Sequence, residues 1–281
     1  MELKLTTIEN IPLIEIVNVF NLSFSDYIVP VHFTVEQLEQ KILADSIDLH
    51  LSVGAFKNDV LIGFILNGID CIDTIKKAYN AGTGVIPTER GKKISEKLYE
   101  FNIEILKRNK IKQIVLEVIT SNNYAINLYE NIGFKISKVF NCYRREVGKS
   151  ALISNVEIRK MYSLDRYKLD QFLNFIPSWQ NSIRAIKSLD KELIYLGAFD
   201  QNEIVGYLVY NPITNKTMQY GVDKDFKNRG IENSLFQQIS LISGKEIFIN
   251  NIDELSTETN KTLISIGLSN FIQQYEMQLF L

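Results

Sequence analysis

Residues 78–134 change hydrophobic period three times, and this alternation constrains the fold more than any other feature of the chain. Residues 78–86 read as a strand containing Gly82 and Gly84, and glycine inside a strand marks a bulge or the close approach of another backbone or a ligand. Pro87 ends that strand, because proline has no N–H to give to a ladder. Ile94, Leu98, Phe101, Ile105 and Leu106 then recur at helical spacing, predicting a helix that runs to residue 109. Ile114, Val115, Leu116, Val118 and Ile119 form a continuous apolar run, the pattern of a strand covered on both faces. Ala125, Leu128, Tyr129 and Ile132 line one side of a helix over 122–132, closed by Gly133 with Phe134 as its apolar companion. The segment is therefore an α/β unit with a basic strand-to-helix turn at its centre.

The flanking sequence extends the unit. Residues 1–7 predict a strand, and Ile11, Ile14, Val17 and Phe20 mark a helix over 8–24. An aromatic stretch from Phe24 to Phe33, broken by Pro30, leads to Thr34, a helix cap with Gln37 three residues on. Residues 50–56 and 60–69 flank a turn as a hairpin, and 134–145 return as a strand. The second half repeats the plan: strands at 194–199, 204–210 and 217–222, a helix over 226–242 opened by Gly230, a strand at 246–250, a helix at 259–266 stopped by Gly267, and a strand at 275–281. One offset of 137 residues matches Val85 to Val222 and Leu98 to Leu235. Duplication of an α/β domain explains this economically, and 281 residues suit two domains. The expected domains are 1–148 and 156–281, joined by a small, polar stretch.

Composition narrows the function classes. A hydrophobic content of 46% with 23% charged residues suits a soluble globular protein. A net charge of -2 gives no electrostatic reason to expect nucleic acid or an anionic membrane as partner. No apolar run approaches the roughly 20 residues that span a bilayer. Cys71 and Cys142 are too few for a disulfide framework, and the opening residues lack a signal-peptide pattern, so a cytoplasmic location is expected. His32 and His50 stand in no metal-ligand spacing, so no metal is expected.

Against that background, Gly84-Val-Ile-Pro-Thr-Glu-Arg-Gly-Lys-Lys-Ile-Ser-Glu-Lys-Leu98 resembles the acyl-CoA-binding motif of the GNAT superfamily of N-acetyltransferases, [Gln/Arg]-x-x-Gly-x-[Gly/Ala] at a strand-to-helix turn. Asn122-Asn-Tyr-Ala-Ile-Asn-Leu-Tyr-Glu-Asn-Ile-Gly-Phe134 resembles the family's second signature, Asn-x-x-Ala-x-x-Leu-Tyr-x-x-x-Gly-Phe. The resemblance implies two GNAT-like α/β domains, each a mostly antiparallel mixed sheet with a splayed parallel strand pair and flanking helices. It implies acetyl-CoA as cosubstrate and direct acetyl transfer to an amine in the N-terminal domain. Val85 and Ile86 would offer backbone groups to the pantetheine arm, and Asn122 would bond it. Arg90, Gly91, Lys92, Lys93, Ile94 and Ser95 would cradle the pyrophosphate, and Tyr129 would protonate the departing thiolate. The physical reading agrees, since a helix start offers unpaired N–H groups and about half a positive charge. Basic residues there oppose the helix dipole unless an anion offsets them.

The chain departs from the pattern in several places. Lys93 and Ser95 replace small residues of the motif, and Lys93 is expected at ordinary backbone angles. Residues 78–86 hold no carboxylate, which leaves Glu117, Asp26 or a water ordered by Asn80 or Tyr79 as general base. Glu117 is the residue assigned here. In the second copy Lys227, Asn228, Gly230 and Glu232 stand opposite Arg90, Gly91, Lys93 and Ser95, while Ser256 and Leu263 stand opposite Asn122 and Tyr129. Leucine cannot donate a proton, so the C-terminal domain is expected to keep the fold and lack the chemistry. Phe24, Tyr27, Phe33 and Trp179 serve packing or an acceptor pocket equally well. The acceptor is a small-molecule or peptide amine, and a homodimer is allowed. The rival reading is a non-enzymatic acyl-CoA sensor or interaction module.

Overall fold

The computed structural model describes residues 3–29, 31–146, 156–162, 171–173 and 175–281. The joint expected at 148–155 lies outside the described residues. By compactness the chain divides into Met1–Ser137 with Tyr275–Leu281, and Lys138–Gln274. The linear division expected from sequence, 1–148 and 156–281, differs from this in one respect above all: the end of the chain, Tyr275–Leu281, belongs to the first unit.

The first unit runs β1 (Leu3–Thr7), α1 (Leu13–Ser23), α2 (Val35–Asp45), β2 (Val53–Lys57), β3 (Val60–Ile72), β4 (Ile75–Val85), α3 (Ile94–Arg108), β5 (Gln113–Ile119) and α4 (Asn123–Ile132). Its sheet has the order β1-β2-β3-β4-β5, antiparallel except for β4 and β5. The terminal part of β12 (Ser269–Phe280) covers the far edge of β5: Leu281 N–H donates to Lys112 O at 3.0 Å and Gln113 Nε2 to Gln278 Oε1 at 2.6 Å. Met277 is fully buried there. Strand alternation puts α1 and α3 on opposite faces. Phe64 of β3 stacks on Phe20 of α1 at 5.5 Å, whereas a Cβ on neighbouring Gly63 would meet Leu98 of α3. Leu98, Tyr99, Ile114, Leu116, Tyr129 and Phe134 share the core on the α3 face. The cap read at Thr34 forms in full, with Thr34 and Gln37 each bonding the other's backbone N–H.

β4 and β5 pair only over Lys77↔Gln113 to Asn80↔Leu116, then part. A bulge coincides with the parting: Leu66 pairs with Gly82 and Asn67 with Asn80, so Ala81 is left over. Both strands continue beyond it unpaired with each other, which opens a gap between Thr83–Val85 and the end of β5. The second unit contains β6 (Lys135–Arg145), β7 (Glu157–Met161), α5 (Ile183–Ser188), β8 (Ile194–Asp200), β9 (Glu203–Asn211), β10 (Lys216–Val222), α6 (Ile231–Ser243), β11 (Ile247–Asp253) and α7 (Thr257–Ser265). Its order is β6-β11-β10-β9-β8-β7, and β10 and β11 also run parallel for only two residue pairs. The mixed α/β class and the splayed parallel pair expected from sequence are present in both units.

Candidate active site

A cleft of about 440 Å³ lies beside the parted strands of the first unit. Its walls bring together Val85, Arg90, Gly91, Lys93, Ile94, Ser95, Asn122 and Tyr129 from the residues singled out in the sequence. Ile86, Lys92 and Glu117 are not among the wall residues.

The turn into α3 is built from left-handed backbone. Gly91 has φ 74° and Lys93, the N-cap, φ 56°. The expectation of ordinary angles at Lys93 is therefore wrong: the turn itself needs positive φ at that position, whatever residue fills it. Asn228 (φ 63°) and Gly230 (φ 75°) repeat the same pair of angles before α6, with glycine and the larger residue exchanged. Lysine has no acceptor atom, and α3 starts without a side-chain cap, whereas Thr34 and Asn122 cap α2 and α4. The first N–H groups of α3 are thus left for an anion. A Cβ at Gly91 would meet nothing within 4 Å, so glycine serves the backbone angle here and leaves open space above it.

Arg90 behaves differently from a free cation. Its guanidinium donates to the Asp26 carboxylate at 2.6 and 2.9 Å, to Ser23 O at 2.7 Å and, through Nε, to Val85 O at 3.1 Å. It pins the C-terminal end of α1 to the end of β4 and satisfies a last-turn carbonyl. Lys92 turns away to Glu89 (2.8 Å) and Thr88 O (3.1 Å). Ile86 N–H is spent on Ile62 O at 3.0 Å, and Val85, whose carbonyl accepts from Arg90, lines the cleft together with Thr83 and Gly84. Gly84 is required by close approach: a Cβ there would lie 2.7 Å from Ser23 Cβ and 2.9 Å from the Phe64 ring. Ser23 Oγ, buried in the same wall, has no hydrogen-bond partner among the described residues.

Asn122 caps α4 by accepting from Ala125 N–H (3.2 Å), and its amide reaches the Tyr27 hydroxyl (3.4 Å). Phe24 and Tyr27 line the cleft and meet edge-on at a centroid distance of 5.1 Å, while Phe20 packs between Phe24 and Phe33. Trp179 lies buried in the second unit against Arg184. Tyr129 is nearly buried, and burial pushes its phenol up to about 12. Its ring lies edge-on to that of Tyr99, a residue to which the motif reading gave no role, at a centroid distance of 5.8 Å. Glu117 alternates away from Ile114, Leu116 and Val118, so it faces the α2 side of the sheet rather than the α3 side. There it accepts from the Tyr79 hydroxyl, and burial raises its pKa to about 8. Asp26 carries the opposite shift, held low by Arg90.

The matching turn of the second unit has only a recess of about 20 Å³, lined by Lys227, Asn228, Glu232 and Glu258 among others. Lys227 bridges both oxygens of Glu258 at 2.9 Å. Leu263 is fully buried in that unit's core. Among the described residues no group of acidic, histidine and cysteine side chains is placed to hold a metal, and no helix is long and apolar enough to cross a membrane.

Residues 16–134 match the acetyltransferase (GNAT) family. N-alpha-acetyltransferase 30 of Dictyostelium discoideum is 36% identical over 90 residues, covering 32% of this chain and 49% of that protein. The protein of the same name from Saccharomyces cerevisiae is 32% identical over 90 residues, covering 31% and 51%. The chain thus spans about half the length of the curated relatives it matches. Two solved structures follow it almost throughout. A tandem GNAT protein from the clavulanic acid biosynthesis pathway has a TM-score of 0.76 at 10% identity, covering 99% of this chain and 98% of its own. A GCN5-related N-acetyltransferase from Sphaerobacter thermophilus has a TM-score of 0.69 at 13% identity, covering 99% and 95%. At these identities the likeness is one of fold, and the fold it shows is the tandem GNAT fold.

Proposed function

We propose that the first unit is an N-acetyltransferase that moves an acetyl group directly from acetyl-CoA to an amine. The observation that carries the reading is one cleft in which an uncapped helix start, the end of β4 that has parted from β5, and the Tyr129 phenol meet. The residues fit the cosubstrate: open N–H groups at α3 and the Lys93 side chain suit the pyrophosphate, and Val85 and the orphaned Ser23 Oγ suit the polar arm. Acetyl-CoA, when bound, supplies an already activated thioester. Gly91, Lys93, Ile94 and Ser95 hold its phosphates, and Arg90 shapes the wall by fixing α1 to β4. Asn122 presents its amide to the arm. Glu117, from the other face of the parted strands, takes a proton from the incoming ammonium at its carboxylate. Tyr129 would give its phenolic proton to the sulfur of the departing thiolate. Orientation supplies much of the catalysis, because the chemistry joins two held reactants. The acceptor class is an α-amino group, the class named for the curated relatives. The second unit keeps the turn but fills its recess with the Lys227–Glu258 pair, and it binds no acyl-CoA.

Thiol release from acetyl-CoA tests the reading, measured with short peptides bearing a free amino terminus and with the same peptides Nα-blocked. Release with the free peptides alone is expected. Tight acetyl-CoA binding with no release for any free peptide would favour a sensor instead.

A further inference from the structure

The segment after α1 carries a tyrosine that belongs to neither motif and stands at the Tyr129 end of the cleft. α1 lies on one face of the sheet, while α4 packs with α3 on the other, where Tyr129 shares its core with Leu98 and Tyr99. Tyr27, four residues past the end of α1, nevertheless meets the start of α4: Asn122 Nδ2 donates to its hydroxyl at 3.4 Å. Its side chain therefore crosses from the α1 face toward the α4 face at the end of the sheet where β4 and β5 have parted, and it lines the cleft there with Thr83 and Asn122.

Tyr129 approaches the same spot along α4. It stands seven residues, two helical turns, after the Asn122 cap, so the two share a helix face. Long side chains on a helix lean back toward its N-terminus, which directs the Tyr129 phenol toward Asn122 and Tyr27. Burial first and Tyr27 second raise the Tyr129 phenol, as expected of two neighbouring hydroxyls. The Tyr27 ring is held firmly. It meets Phe24 edge-on at 5.1 Å, and Phe24 stacks on Phe20 at 4.5 Å. Tyr27 N–H donates to Phe24 O at 3.1 Å, and the adjacent Asp26 is tied to Arg90 at 2.6 and 2.9 Å. A wall packed in this way yields little to added methylenes.

We propose that Tyr27 sets the length of the acyl group the site accepts: its ring closes the cleft just past the thioester, leaving room for acetyl and excluding longer linear acyl groups. The inference rests on the proposed binding of an acyl-CoA with its thioester beside Tyr129. The acyl chain hangs from the carbonyl carbon that also carries the sulfur. With the sulfur at the Tyr129 hydroxyl, the chain starts within a few bonds of it, where Tyr27 stands. Each added methylene must then push the ring off Phe24 or enter the polar gap held by Thr83 and Asn122. A methylene that a pocket cannot hold is worth about 10- to 200-fold in discrimination.

Calorimetry on the full chain, without acceptor, tests this with acetyl-CoA, butanoyl-CoA and hexanoyl-CoA. The three ligands share the whole CoA portion, so their affinity ratios report the acyl end alone. The wild type is expected to bind butanoyl-CoA about tenfold or more weakly than acetyl-CoA, and hexanoyl-CoA more weakly still. Tyr27→Ala and the more conservative Tyr27→Leu shorten the wall and should raise butanoyl-CoA toward acetyl-CoA, whereas Tyr27→Phe keeps the ring and the wild-type preference. A preference unmoved in folded Tyr27→Ala or Tyr27→Leu protein overturns the proposal, even if KM for a peptide acceptor rises, since the ring would then serve the acceptor. Equal binding of all three ligands by the wild type overturns the proposal alone. Failure of the wild type to bind any of them would sink the acetyltransferase reading and the proposal with it.

Discussion

Burial raises the pKa of both groups assigned to proton transfer, yet the two limit the rate on different sides of pH. In the proposed mechanism Tyr129 works protonated, and a pKa near 12 keeps it so throughout the physiological range. As the proposed base, Glu117 would work deprotonated, so kcat/KM is expected to rise with pH and level off above about 8. Glu117→Gln should abolish that limb and lower the rate by a factor of about 10² to 10⁴, the usual worth of a positioned acid or base. A kinetic pH profile of both proteins checks this. The same shift governs stability. The folded carboxyl binds its proton up to about pH 8 and the unfolded one only to about 4.5, so the folded state holds the extra proton between these limits. Glu117 therefore contributes stability at low pH that is lost as pH rises toward 8. Glu117→Gln should flatten that fall in denaturant titrations run from pH 5 to pH 8. Lys93 poses a different trade-off, since its left-handed angle costs a non-glycine residue about 1 kcal/mol. Lys93→Gly is expected to leave the melting temperature unchanged or higher while weakening CoA binding in calorimetry.

At the scale of elements, local signals were legible and non-local ones were not. The Thr34–Gln37 capping box and the Asn122 cap were readable because their bonds close within three residues. The period changes located β4, α3, β5 and α4 because each buries one face on a neighbour. The role of Arg90 could not be read, because Asp26 lies 64 residues away and nothing local announces the pairing. Nor could the bulge at Ala81, which exists only where β4 must leave β5. β7 and α5 escaped notice because both are short, and a few residues give too little periodicity. Tyr99 gave no local signal, because Asn80 and Tyr129 come beside it only in the fold. Gly84 tests the element packing directly. Gly84→Ala must push α1 off β4, and both a lower melting temperature and a raised KM for acetyl-CoA are expected.

For the whole molecule, the chain's duplicated pattern is real in its elements, but each half does not simply close on itself. The strand that covers β5 comes from the far end of the chain, and Met277 is its buried anchor. Met277→Ala should destabilise the first unit by about 2 to 5 kcal/mol, as for other buried large-to-small changes, seen as a lower denaturant midpoint with acetyl-CoA binding lost in step. The near-neutral net charge fits a protein whose anion site is a local arrangement of backbone N–H groups and one lysine. In the proposed function the second unit, whose recess is lined by the paired Lys227 and Glu258, binds no acyl-CoA, which would leave one such site per chain. A single-turnover experiment tests this account most directly: protein mixed with substoichiometric acetyl-labelled acetyl-CoA, then with a peptide bearing a free amino terminus, and the label followed by mass spectrometry. The account predicts label on the peptide's α-amine, none held covalently on the protein, and transfer slowed at least a hundredfold by Tyr129→Phe. Label trapped on a side chain of the protein, or left in acetyl-CoA that stays bound, would contradict it.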